Sequence, residues 1–223
     1  MPGSHWKRIA GKEIPSSLEL YPIIYDYLEN GWNILDIGCG GGKVSISLAS
    51  RGYSITGVDL NREGIELAKD AASRLSPAGK PEFREGDAAE LPFQAGEFDL
   101  AVMQAFLTTI VEKEMRSRII REAGRVLKPG GFLYIAEFGQ NWHLKLYRKP
   151  YLQDFPCTKE EGSFLARNPE SGEVEFITHH FSEKELVFLL VDNGFEIDYF
   201  KVEEFSTRTG NRVNGFVVVA KKV

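Results

Sequence analysis

The stretch Ile34-Leu35-Asp36-Ile37-Gly38-Cys39-Gly40-Gly41-Gly42 constrains this chain more than any other, because an apolar run passes through one acid and ends in four glycines within five positions. Lys43-Val44-Ser45-Ile46 then resumes with helical spacing, so the stretch reads as a strand, a tight turn and a helix start. Glycine suits such a turn because it tolerates positive φ and lets a ligand come up against the backbone. Free amides at the helix start are expected to favour a polar or anionic ligand group. A dinucleotide turn, G-x-G-x-x-G, fails on spacing, since Lys43 stands where its third glycine belongs. A phosphate loop, G-x-x-x-x-G-K-[ST], fails twice, with Ile37 at its first glycine and Val44 at its hydroxyl position.

What remains is hydrophobic-hydrophobic-Asp-hydrophobic-Gly-x-Gly-x-Gly, which resembles the first motif of the class I methyltransferases that use S-adenosylmethionine. The resemblance implies that the turn passes beneath the amino-acid end of the cofactor, with an acid near Asp36 facing its ammonium group. It assigns Asp36, Gly38, Cys39, Gly40 and Gly42 to the cofactor. Tyr53 to Val58 alternates like a strand and ends in Asp59, which stands 23 positions after Asp36, one βαβ unit away. A carboxylate there can accept from both ribose hydroxyls, and Leu60 beside it joins the cofactor set. Asn61 is a good N-cap for the helix over Arg62 to Lys69. Glu82 to Glu85 reads as a third strand. The resemblance sets Asp87 against the exocyclic amine of the adenine and the Ala88 amide against a ring nitrogen; in isolation the pair is an ordinary Gly-Asp turn. The fourth strand ends at Gln104-Ala105-Phe106, at the mouth of the cofactor cleft, because open α/β sheets bind ligands outside the carboxyl ends of their strands. A helix over Glu114 to Leu127, a turn at Lys128 to Gly131 and a fifth strand over Phe132 to Phe138 complete the pattern.

Composition bounds the reading. The chain has 223 residues, 43% hydrophobic and 26% charged, as expected of one globular domain. No apolar run reaches the roughly 18 residues of a membrane span, and the N-terminus lacks a signal-peptide core, so a cytoplasmic protein is expected. Cys39 and Cys157 make neither a disulfide framework nor a metal pair, and no metal is expected; Cys39 reads as a small filler whose amide matters more than its sulfur. The 27 basic and 32 acidic residues leave a net charge of −5 with no long basic run, which weighs against a nucleic-acid partner.

In chain order, residues 1–17 are polar and ambiguous. Leu18 to Asn30 carries apolar residues at Leu20, Ile23, Ile24, Tyr27 and Leu28 before Gly31, the spacing of an amphipathic helix; residues 1–30 read as an N-terminal helical segment. Trp6 and Tyr21 are candidates to touch ligand, with core or rim packing the commoner role for such rings. Residues 139–181 are too long for a plain connection and rich in aromatics and bases, among them Trp142, His143, Lys145, Tyr147 and Arg148. They read as an insertion after the fifth strand, either a substrate cap or a surface excursion. Asn168 to Gly172 reads as a hairpin tip joining Ser163–Ala166 to Glu173–Ile177. Ser182 and Glu185 form a capping box ahead of a helix ending at Asn193-Gly194. Phe195 to Phe205 and Gly215 to Val223, joined by Thr209-Gly210-Asn211-Arg212, then read as a closing hairpin, antiparallel by necessity.

The expected fold is therefore α/β, a doubly wound seven-stranded sheet of order 3-2-1-4-5-7-6 with strand 7 antiparallel, in one domain over 1–223. The expected activity is methyl transfer from S-adenosylmethionine, with S-adenosylhomocysteine as product, to a small-molecule acceptor. A sulfonium methyl is already an activated electrophile, so positioning dominates and a base is optional. His143, His179, His180 and Glu137 are candidate bases, none with a spacing that fixes its role; for His179-His180 no orienting acid is evident in the sequence. Gln104-Ala105-Phe106-Leu107 lacks the Asp/Asn-Pro-Pro-aromatic signature of enzymes that methylate adenine amines or glutamine amides. An RNA or protein methyltransferase and a non-catalytic cofactor-binding domain stay open. The acceptor's identity, its reacting atom and the oligomeric state are not written in the sequence.

Overall fold

The computed structural model describes residues 6, 7, 9, 19–76, 79–168, 170–207 and 210–223. Among these, nine strands are β1 Asn33–Ile37, β2 Ser54–Asp59, β3 Glu82–Glu85, β4 Phe98–Gln104, β5 Leu127–Phe138, β6 Ser163–Arg167, β7 Val174–His179, β8 Phe195–Ser206 and β9 Arg212–Lys222. Five helices are α1 Lys43–Ala49, α2 Arg62–Ala72, α3 Lys113–Val126, α4 Lys145–Thr158 and α5 Glu183–Val191. Seven strands form one sheet in the order β3-β2-β1-β4-β5-β9-β8, and β6 and β7 pair separately. The pairings among β1 to β5 are parallel, while β9 runs antiparallel to both β5 and β8. No helix is long and apolar enough to cross a membrane.

The central strands alternate between two cores. Leu35, Ile37, Ala101, Met103, Leu133 and Ile135 pack on one face with residues of α3 and α5. Ile34, Leu100, Val102, Tyr134 and Ala136 pack on the other with Leu48 and Ala49 of α1 and the rings of Tyr147 and Tyr151 from α4. A strand buried on both faces reads as a continuous apolar run, as the parallel strands here do. The strand order changes direction between β1 and β4, so a crevice opens there beyond their C-terminal ends.

Three elements differ from the sequence reading. The helix expected over 18–30 is only a 3-10 turn, Pro22–Asp26; Pro22 cannot continue a helix begun before it, and β-branched and aromatic neighbours are poor at extending one. Leu18 lies outside the described residues. Lys128 to Gly131 belongs to β5 rather than to a free turn, because Leu127 pairs with Phe98 ahead of a register shift. Residues 139–181 contain α4, which the two prolines Pro150 and Pro156 hide from a sequence reading, although Tyr147, Tyr151 and Asp154 share its buried face at i, i+4, i+7. The β6-β7 hairpin is present, with Pro169 at its tip outside the described residues; Thr209, expected between β8 and β9, is outside them too. This segment leaves the main sheet at Gly139 and returns at Phe181, and those two residues bridge in parallel.

Candidate functional site

At the turn after β1, four amides are spent on the protein itself. Gly38 N and Cys39 N donate to Val58 O at 2.8 and 3.1 Å, Gly42 N donates to Cys39 O at 2.8 Å, and Gly40 N donates to Asp59 Oδ2 at 2.8 Å. These four amides precede the helix start at Lys43, where Ser45 N is taken by Asp36, and Cys39 contributes neither a free amide nor an exposed thiol. What the turn offers a ligand is its shape. Gly38 has φ +75°, and a Cβ there would lie 2.3 Å from Phe106 Cδ2. Asp36 is 2% exposed, and its Oδ2 accepts from Ser45 N at 3.1 Å and Ser45 Oγ at 2.6 Å. It ties β1 to the start of α1, where the helix dipole favours an anion, while burial pushes its carboxyl up to about 6.

Asp59 is better placed. Its Oδ1 accepts from Asn61 N at 2.8 Å while Oδ2 holds Gly40, so both oxygens are oriented and each keeps a further lone pair. Burial raises its pKa against these amides. Asn61 caps α2 by accepting from Gly64 N at 2.8 Å, and its Nδ2 donates to Trp6 O at 2.7 Å and Ile9 O at 2.9 Å. The backbone at Trp6 and Ile9 is thereby held to the rim of the site.

A cavity of about 950 Å³ opens over the C-terminal ends of the central strands. Gly38, Asp59, Leu60, Asp87, Ala88 and Gln104 form part of its wall, whereas Asp36, Cys39, Gly40 and Gly42 do not. Asp87 Oδ1 accepts from Ala89 N at 2.8 Å, which fixes its turn. Trp6 lines the cavity and packs on Phe176, with centroids 4.7 Å apart. Tyr21 does not line it: its hydroxyl donates to Glu204 O at 2.9 Å and its ring meets Phe205. The far wall comes from the inserted segment, with Tyr147, Phe164 and Phe176 pointing in while Lys145, Arg148 and Lys149 are exposed. The side-chain amide of Gln104 is sealed from solvent, and both its polar atoms lack a partner. A buried, unpaired amide is costly, and this one stands in the cavity wall at the end of β4.

The candidate bases separate. His143 is exposed and outside the wall. Glu137 is fully buried, and its carboxylate accepts from Phe106 N at 2.8 Å, Leu107 N at 2.5 Å and Thr108 N at 3.2 Å. It clamps the loop after β4, where Ala105 sits at φ 49°, and burial pushes its pKa up to about 8. His179 does have orienting acids, which its sequence neighbourhood does not reveal: Nε2 lies 3.0 Å from both oxygens of Glu185, and Nδ1 lies 2.8 Å from Ser163 Oγ. The buried Arg116 guanidinium, in turn, pairs with Glu160 and Glu185. Glu185 therefore spends its carboxylate on tertiary partners, and only half of the expected capping box forms, Ser182 Oγ accepting from Glu185 N at 3.2 Å. Of the four candidates, His180 is the one in the cavity wall.

Residues 35–135 match the family described as "Methyltransferase domain". The chain is 34% identical over 136 residues to a ubiquinone/menaquinone biosynthesis C-methyltransferase of Geotalea daltonii, covering 60% of this chain and 52% of that protein. It is 31% identical over 147 residues to a ubiquinone biosynthesis O-methyltransferase of Coxiella burnetii, covering 64% and 60%. The chain thus spans only part of these curated relatives. Against the crystal structure of a SAM-dependent methyltransferase from Methanosarcina mazei it has 62% identity and a TM-score of 0.90, over 92% of this chain and 99% of that one. With the glycine turn, the acid ending β2 and the cavity at the strand ends, that likeness makes the chain a member of the S-adenosylmethionine-dependent methyltransferase family.

Proposed function

We propose that this chain transfers a methyl group from S-adenosylmethionine to a small molecule held beneath residues 139–181, leaving S-adenosylhomocysteine, with 1–223 acting as one domain. The observation that carries the reading is the orphaned amide of Gln104 at the end of β4, in the same cavity wall as two oriented carboxylates and an aromatic insertion. The residues present fit the cofactor. Asp59 would take the ribose hydroxyls on its free lone pairs, Asp87 and the Ala88 amide the adenine, and Gly38, Leu60 and Gln104 the remaining contacts. Asp36, Cys39, Gly40 and Gly42 act one step back, by shaping the turn and, through Gly40 N, aiming Asp59.

Bound there, the cofactor supplies an electrophilic methyl. The protein's work is then to align the acceptor and exclude water. Phe106, Tyr147, Phe164 and Phe176 of the wall can hold a flat, apolar acceptor, which makes the insertion a substrate cap. The quinone-biosynthesis names of the relatives support an acceptor of that size.

Calorimetric titration with S-adenosylhomocysteine tests the reading. Wild type should bind it, while Asp59→Ala and Asp87→Ala should each weaken binding by about tenfold or more, the loss of one charge-assisted pair. At limiting cofactor, radiolabelled methyl should then move into a small-metabolite fraction with wild type and about tenfold more slowly with Asp59→Ala. Absence of binding to a folded wild-type protein overturns the proposal.

A further inference from the structure

His180 is the polar centre of an aromatic cage. Its ring stacks on Phe138 at 5.6 Å between centroids and meets Phe164 edge-on at 5.0 Å, with Tyr147 at 5.1 Å and Tyr151 at 5.9 Å. Its Nδ1 lies 2.7 Å from the hydroxyl of Tyr151, and that hydroxyl accepts from Asn141 N at 3.3 Å. The amide can only donate, so the Tyr151 proton is left for Nδ1. The alternative, with Nδ1 protonated, would strand a hydroxyl proton inside a site where Tyr151 is 2% exposed. The ring is thereby fixed with its proton on Nε2. That atom has no hydrogen-bond partner among the described residues, and His180, 4% exposed, forms part of the cavity wall.

The charge of the wall completes the picture. Glu112 and Glu175 bring carboxylates to it, and among the described wall residues Arg167 is the permanent cation. Asp154 already holds that guanidinium on both arms, at 2.8 and 3.0 Å. Among the described wall residues no free positive charge is offered to an acidic acceptor. Burial, with a contribution from neighbouring His179, drives His180 down to about 3, and burial also raises Tyr147 and Tyr151. The cage is neutral.

We infer that the methyl acceptor is an uncharged, flat, apolar molecule that presents a hydroxyl or carbonyl oxygen to the Nε2–H of His180, which positions it as a hydrogen-bond donor; the Tyr151 hydroxyl occupies the Nδ1 lone pair, so the proton released on methyl transfer passes to solvent rather than to His180. This rests on the function proposed above and names the substrate class for the same site.

The test uses the full chain labelled with 15N-histidine, saturated with S-adenosylhomocysteine, with 2-naphthol, 2-naphthoate and naphthalene as probes. The His180 resonances, identified by their loss in His180→Phe, should show the Nε2–H tautomer unchanged from pH 5 to 8. 2-Naphthol should shift the Nε2 signal and bind about tenfold more tightly than 2-naphthoate or naphthalene, the scale of one discriminating polar contact. In His180→Phe the advantage of naphthol over naphthalene should vanish, and in Tyr151→Phe the tautomer should become mixed. A proton on Nδ1, titration of His180 near pH 6.5, or equal binding of naphthoate overturns the inference. If His180→Phe does not fold, the His180 resonances are identified by their shift in Tyr151→Phe, and the wild-type tautomer and the naphthol-to-naphthoate ratio decide. Failure to bind S-adenosylhomocysteine sinks the proposed function instead, and the tautomer and probe ratio, measured without it, still judge this one.

Discussion

Gln104 carries the sharpest consequence at the scale of single residues, because its two unpaired polar atoms affect folding and binding in opposite directions. Replacing it with Leu removes the desolvation penalty at nearly constant volume, so Gln104→Leu should stabilise the ligand-free protein by about 1–2 kcal/mol. The same change should weaken S-adenosylhomocysteine about tenfold. Thermal unfolding with and without ligand reads both, and a destabilised free protein would show that the amide is satisfied in solution. Gly38 is the opposite case. Gly38→Ala combines a φ of +75° with a methyl 2.3 Å from Phe106, and it should cost about 2 kcal/mol and displace the Phe106 ring into the cavity. Urea midpoints and ligand affinity should both fall.

Among the elements, the inserted segment is held to the sheet domain by charge as well as by rings. Arg116 of α3 is 1% exposed and faces Glu160 after α4 and Glu185 on α5. It also donates to Ile110 O at 2.9 Å and lies over the Phe181 ring. Thr108 Oγ1 donates to His179 O at 2.6 Å, which fastens the loop after β4 to β7. Removing the guanidinium leaves two carboxylates facing each other in a partly dry site, so Arg116→Ala should cost about 3 kcal/mol. Adding Glu160→Gln should recover part of that loss, and a double-mutant cycle in urea measures the coupling. Simple additivity would show that these groups do not interact.

For the whole molecule, buried ionisable groups set how stability depends on pH. Burial raises Glu137 to about 8 and Asp36 to about 6, so between their unfolded values and these the folded protein holds protons that the unfolded chain has released. Each contributes stability that is present at low pH and is lost as pH rises through the folded value. His180, lowered to about 3 from 6.5, works the other way and adds stability as pH rises to about 6.5. Above that point Glu137 dominates. Unfolding free energy should fall from pH 6.5 to 8 by about 1 kcal/mol per unit, and Glu137→Gln should flatten that slope even though it also loses an amide contact. A slope unchanged in the variant would show that three amides keep Glu137 ionised.

The sequence by itself determined the local and periodic features of this protein. The glycine turn, Asp59 at a strand end, the Asn61 cap and the β6-β7 hairpin all follow from spacing and from what each residue type can do within a few positions. Only the packing of distant segments set where three of the turn's amides go, since Val58 and Asp59 accept them from another strand, and brought Glu137 onto the amides of the loop after β4. It also decided that α4 forms despite two prolines, because the burial of Tyr147 and Tyr151 outweighs a local propensity that opposes it. His180 could be told from His143 and His179 only once Tyr151, Asn141 and the rings of distant segments were brought around it, because a hydrogen-bond chain between elements leaves no periodic trace in a sequence.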